Sequence, residues 1–195
     1  ADTCDGEEES IRKMARHLVT KGVTSFCPTT MTVSTEEIRA ALRAARGCMD
    51  HPQEGARVLG VNMEGPFISA KKKGAQKEEY VRNPDWELFR SLYEDCGGIV
   101  RLVDIAPECE GAQTFVERAK ELCTVSIAHT EADFEQAKQS FAWGITHATH
   151  LYNAISGLTH RAPGVVGALM DTPSVRAELI CDGFHINPAV LRITF

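Results

Sequence analysis

Two histidines, His129 and His150, each follow a short β-prone run, Thr124-Val125-Ser126-Ile127 and Gly144-Ile145-Thr146, and a segment of helical composition, Glu131 to Phe141, lies between them. Strand, helix, strand in that order makes the two strands parallel and brings their carboxyl ends to one side of a sheet. Two imidazoles then face one pocket, which is part of a divalent-metal site. His147 forms a His-x-x-His pair with His150, but side chains three apart on a strand point to opposite faces, so His150 is the expected ligand and His147 is set aside. Taken singly, each histidine reads first as a hydrogen-bonded structural residue, and the metal reading needs a third ligand. Glu64 supplies one, because it follows another strand-like run, Arg57 to Met63, and opens Glu64-Gly65-Pro66. One carboxylate and two imidazoles suit zinc foremost, or iron, cobalt or manganese, with a coordination position left to water as a catalytic site requires.

The elements that position these residues alternate along the chain. Acids in the first turn, with Ile11, Met14 and Leu18 at helical spacing, predict a helix over 7–20. A strand is expected over 23–32, closed by Pro28, and then a helix over 35–49 begun by Ser34 or Thr35 with Glu37. After the strand at 57–63, the glycine- and lysine-bearing stretch 68–84 is too long for an ordinary connection in a compact domain and reads as functional. The pattern continues with helix 85–95, strand 99–106, helix 111–122, strand 124–128, helix 131–141, strand 145–151, a short helix near 165–170 and strand 175–181. Six strands with intervening helices imply a parallel α/β arrangement over residues 1–195 as one domain, and polar candidates placed after strands fit a β/α barrel two strands short of eight.

Composition narrows the function classes. A net charge of −6 and a pI near 5.7 argue against nucleic acid as the main partner, since phosphate backbones demand a basic face. No stretch has the pattern of a signal peptide or a membrane span, so a cytoplasmic location is expected. The seven cysteines are odd in number and include no C-x-x-C pair, which suits reduced thiols rather than a disulfide framework or a zinc ribbon.

MEGPFISAKKKGAQ, IAHT, THATHLYNA, HRAPG and CDGFHIN, in this order and spacing, resemble segments of the N-acetylglucosamine-6-phosphate deacetylase family within the amidohydrolase superfamily. The resemblance runs from the first helix to Phe195. It implies a (β/α)8 barrel that here lacks its first and last strands, and a metal-dependent hydrolysis of the acetamide of N-acetylglucosamine 6-phosphate. Carried over residue by residue, it implies that Glu64, His129 and His150 ligate the divalent metal. Asn153 and the Ala154 backbone N–H would contact the sugar phosphate, Arg161 would grip the phosphate, and His185 would bind substrate. It also implies a homodimer in which the arginine loop serves the neighbouring subunit's site, and a flap formed by Lys71 to Gly74. Gln76 stands where several relatives carry a substrate-contacting histidine; it can hydrogen-bond but cannot titrate. The family's general acid–base is an aspartate after strand eight; that strand would begin at Arg192 to Phe195, so the aspartate is expected beyond Phe195, and Asp182, at the end of strand seven, does not replace it. The chain therefore reads as part of a longer enzyme. The competing readings are a cyclic amidase of the same superfamily and a sugar-phosphate-binding fragment without catalysis.

Overall fold

In the computed structural model, which describes every residue except 52 and 53, the predicted alternation of helices and strands is present. Helix α1, Glu8–Val19, carries Glu8 and Glu9 in its first turn and buries Ile11 and Ala15, one turn apart on the same side. Helix α2, Thr35–Asp50, starts in a reciprocal cap: the Ser34 hydroxyl accepts from the Glu37 N–H at 3.2 Å, and the Glu37 carboxylate accepts from the Ser34 N–H at 2.9 Å. The other helices are α3 Trp86–Asp95, α4 Ala112–Ala119, α5 Phe134–Trp143, α6 Gly164–Met170 and α7 Pro188–Thr194. None of the helices among the described residues is long and apolar enough to cross a membrane.

Among the described residues, six strands form one parallel sheet whose spatial order follows the chain: β2 Thr29–Thr30, β4 Val61–Met63, β5 Val100–Ile105, β6 Thr124–Ile127, β7 His147–Ala148 and β8 Arg176–Ala177. A second, two-stranded parallel sheet pairs β1 Ser25–Phe26 with β3 Arg57–Val58. The two runs expected as single strands, 23–32 and 57–63, are thus each broken in two. Pro28 cannot donate to a ladder, and Gly60 sits at φ +153°, where a side chain would meet the Ile99 carbonyl and Arg101. β7 and β8 are also shorter than the expected 145–151 and 175–181. The chain leaves the ladder before it reaches His150, so His150 is not a strand residue in register with His147. A further correction concerns the last residues: Arg192 to Phe195, where an eighth strand was expected to begin, finish helix α7. Asn187 caps that helix by accepting from the Ala189 N–H at 2.8 Å, with Pro188 at the first helical position.

The register separates the sheet into two unlike faces. Met63, Val103, Val125, Ile105, Ile127 and Ala148 share the face that packs on the helices, in one core with Ile38 and Leu42 of α2, Phe89 of α3 and Phe115 of α4. Asn62, Asp104, Ser126 and His147 fall on the other face by the alternation of side chains along a strand. That polar face points the candidate chemistry away from the helices. On the helical side, Phe115 is the hub of an aromatic group, 5.0 Å from Phe67 and 5.3 Å from Phe89 between ring centroids. Phe67 lies three residues past Glu64, so this packing anchors the loop that carries the carboxylate. Phe115→Ala should cost about 3–5 kcal/mol in a denaturant titration; a loss under about 1 kcal/mol would place the anchor of that loop elsewhere.

Candidate metal centre

Glu64 follows β4 directly, and His129 and His150 each stand two residues past the ends of β6 and β7. Because the three strands are parallel, these positions share one end of the sheet. One donor atom from each lies within 4.8 Å of the others. Glu64 Oε1 is 2.9 Å from His129 Nε2 and 3.8 Å from His150 Nε2, and the two Nε2 atoms are 3.1 Å apart. Donors about 2.0–2.2 Å from a tetrahedral ion stand roughly 3.3–3.6 Å from one another, so the triangle is close to the size of a coordination shell.

The protons point the same way. His129 Nδ1 lies 2.8 Å from the Lys72 carbonyl, which can only accept, so Nδ1 carries the hydrogen and Nε2 presents a lone pair to the group. That lone pair meets the Glu64 carboxylate, also an acceptor, and a shared cation or an extra proton has to lie between them. The Nδ1 of His150 is buried with no hydrogen-bond partner among the described residues. The donor set and its orientation therefore fit a divalent ion. Burial opposes ionisation of Glu64, but with the extra proton in place hydrogen bonds from His129 and His150 outweigh it and hold the carboxyl down at about 2. Burial likewise disfavours the charged form of His150, yet the Glu64 carboxylate raises it above the usual value. Metal binding displaces such protons.

The backbone around both histidines is held in an uncommon conformation. His129 and His150 have φ +44° and +36°, a left-handed region that costs a non-glycine residue of order 1–3 kcal/mol and persists only where the surroundings impose it. For His129 the surroundings include the Ser69 N–H, which donates to its carbonyl at 2.9 Å, and the Glu108 carboxylate, which accepts from the Thr130 hydroxyl and, at 2.7 Å, from the Glu131 N–H. Lys71 to Gly74 is a short 3-10 turn and its exit, packed on His129 through the Lys72 carbonyl.

The remaining candidates are placed differently from the three candidate ligands. Gln76 is buried, and both of its polar atoms are engaged within the protein: Nε2 donates to Glu64 Oε1 at 2.8 Å and Oε1 accepts from the Thr32 N–H at 2.7 Å. It braces the carboxylate. Asn153 is half-buried and donates through Nδ2 to the carbonyls of His150 and Leu151, and Ala154, at φ +51°, accepts from the Thr130 N–H at 3.0 Å. Arg161 is exposed, as is His185, whose Nδ1 pairs with Asp182 Oδ2 at 2.7 Å outside the Glu64 group. His147 also stays outside the group: its Nδ1 meets Ser126 Oγ at 2.9 Å and its Nε2 faces Glu178. Sequence reasoning missed Asp104, fully buried on the polar face beside this site, with Oδ1 accepting from the Thr149 hydroxyl at 2.8 Å. The signal that was available is an acid inside the otherwise apolar run Leu102 to Ala106.

No family model matches the chain. Individual proteins do. A curated relative from Bacillus subtilis, named N-acetylglucosamine-6-phosphate deacetylase, is 37% identical over 199 residues, covering 100% of this chain and 50% of its own length. The crystal structure of N-acetylglucosamine-6-phosphate deacetylase from Thermotoga maritima superimposes with a TM-score of 0.83 at 32% identity, over 95% of this chain and 49% of that one. The chain is homologous to the N-acetylglucosamine-6-phosphate deacetylases. It spans about half the length of the curated relatives it matches. A similar protein from Escherichia coli, at 34% identity over 98% of this chain and 51% of its own length, is named N-acetylgalactosamine-6-phosphate deacetylase, so the deacetylases resembling this chain differ in the hexosamine their names give.

Burial, reinforced by the Glu64 carboxylate, pushes Asp104 up to about 8 from 3.8. The unfolded chain then binds fewer protons than the folded one between those values, so Asp104 lowers stability progressively as pH rises from about 4 to 8 and has no effect below. In metal-free protein, Asp104→Asn should therefore melt several degrees above the parent at pH 8, with the gap closing towards pH 4. A gap that does not change with pH in thermal melts would contradict the buried acid.

Proposed function

We propose that the protein hydrolyses the acetamide of an N-acetylhexosamine 6-phosphate, with N-acetylglucosamine 6-phosphate as the leading substrate, to give acetate and glucosamine 6-phosphate in amino-sugar catabolism. The observation that carries this reading is the triangle of Glu64, His129 and His150, supported by homologues named for that reaction. The sheet of six parallel strands in chain order supports assignment to an incomplete (β/α)8 barrel, with the site at the carboxyl ends of its strands.

In this reading Glu64, His129 and His150 hold a divalent ion, zinc foremost and iron, cobalt or manganese as alternatives. When bound, the ion supplies Lewis acidity at the amide carbonyl and lowers the pKa of water towards about 7. The chain's own groups do the rest. The Lys72 carbonyl fixes the His129 tautomer, and Gln76 steadies the Glu64 carboxylate. Arg161 offers a planar, bidentate donor to the phosphate, which suits an exposed guanidinium on a loop, and Asn153 with the Ala154 N–H receives the sugar phosphate. Binding at that remote group orients the acetamide over the ligands. His185 is assigned to the substrate side, and proton transfer to the aspartate that the resemblance places beyond Phe195. A cytoplasmic homodimer, in which one copy's Arg161 loop completes the other's site, is part of the same proposal.

A second reading is sugar-phosphate binding without hydrolysis. Acetate release from the N-acetylglucosamine and N-acetylgalactosamine 6-phosphates, run beside elemental analysis, separates the two. Near one divalent ion per chain and acetate from at least one epimer are expected. His150→Ala should lose the ion and more than about 100-fold of the rate, beyond the cost of removing a mere outer-shell partner. A variant that keeps both would sink the assignment, and tight sugar-phosphate binding without acetate would favour the second reading.

A further inference from the structure

A buried hydrogen-bond chain crosses three strands next to the metal centre. Asp104 of β5, Ser126 of β6 and His147 of β7 are register partners in one row, and Thr149 follows His147 on the same side. The Thr149 hydroxyl donates to Asp104 Oδ1 at 2.8 Å and lies 2.8 Å from Ser126 Oγ, which in turn lies 2.9 Å from His147 Nδ1. Asp104, Ser126 and Thr149 are all buried, and Asp104 Oδ2 has no partner among the described residues. The Thr149 hydroxyl is therefore the protein contact that offsets the burial of this acid.

The position of Thr149 gives the chain its meaning. β7 has ended at Ala148, and the next residue but one is His150, at φ +36°. Thr149 is the last residue before the ligand, tied to the sheet by its N–H to the Ile127 carbonyl at 3.2 Å and by its hydroxyl to two neighbouring strands. A buried acid with no basic partner is an expensive way to fill space, and an apolar side chain of similar volume would do so at lower cost. We propose that Asp104 is a positioning residue: with Ser126 it grips the Thr149 hydroxyl and thereby sets the strained backbone of His150, so that its Nε2 points at Glu64 and His129. This rests on the metal-site reading of those three residues.

The probe is Co2+ added to the metal-free protein, read as affinity and as the visible ligand-field spectrum, for the parent, Asp104→Asn, Asp104→Leu and Thr149→Val. The amide of Asp104→Asn can donate to or accept from the hydroxyl, so this variant should bind within about threefold of the parent with the same spectrum. Asp104→Leu should unfold at a temperature no lower than the parent's, yet bind Co2+ about 10–100-fold more weakly with an altered spectrum, the range expected when a group orienting a ligand is lost. Thr149→Val, nearly isosteric, should repeat that loss and decides the matter alone if Asp104→Leu does not fold. Parent-like affinity and spectrum in Asp104→Leu, or in Thr149→Val when it stands alone, overturn the clamp and leave the metal site intact. A parent that binds no Co2+ overturns the metal reading, and the clamp with it.

Discussion

A carboxylate oxygen and two imidazole nitrogens are aimed at one point at the carboxyl ends of parallel strands, and the rest of the structure is arranged around keeping them there. A carboxylate oxygen and the lone pair of a neutral imidazole repel one another at hydrogen-bond distance unless a cation lies between. The Lys72 carbonyl prevents His129 from escaping by tautomerisation, since it occupies the Nδ1 hydrogen. Gln76 leaves Glu64 little freedom to turn away, because its amide is tied at the other end to the Thr32 backbone. Without an ion the group needs an extra proton between its acceptors, and a divalent ion would take that proton's place, as a site preorganised for metal requires.

The fold supplies this preorganisation through its two unlike faces. On the helical face, interlocking apolar side chains and the Phe67, Phe89 and Phe115 group fix where the strands end. On the opposite face, Asp104, Ser126 and Thr149 link β5, β6 and the segment after β7 by hydrogen bonds that have direction as well as strength. Apolar packing sets position to the nearest side chain, and hydrogen bonds then set the angle of a ring. The left-handed backbone at His129 and His150 is where the two requirements meet, and its cost is borne by the loops and buried polar groups around it.

Much of this is legible in the chain itself. The βα alternation follows from periodicity, and Glu64, His129 and His150 stand out because each follows a strand-like run, a position that parallel topology makes convergent. His147 lies outside their group, but face alternation alone does not separate it from His150, because the chain has left the strand by then. The breaks at Pro28 and Gly60 are visible as residue types, yet an unbroken β-prone composition around them masks the change of sheet. Asn187-Pro188 is a helix start, and it prevails over the eighth strand expected after it. Asp104 and Gln76 are harder still. Their partners lie 45 and 12 residues away, and no local pattern encodes a hydrogen bond across that separation.

X-ray absorption at the metal edge of the zinc-loaded protein reads the ligand set itself, without relying on activity. A first shell of nitrogen and oxygen only is expected, at about 2.0–2.2 Å, with the outer-shell scattering of two imidazoles. Sulfur at about 2.3 Å, which would place one of the seven cysteines on the ion, or a shell without imidazole scattering, would contradict a centre built from Glu64, His129 and His150.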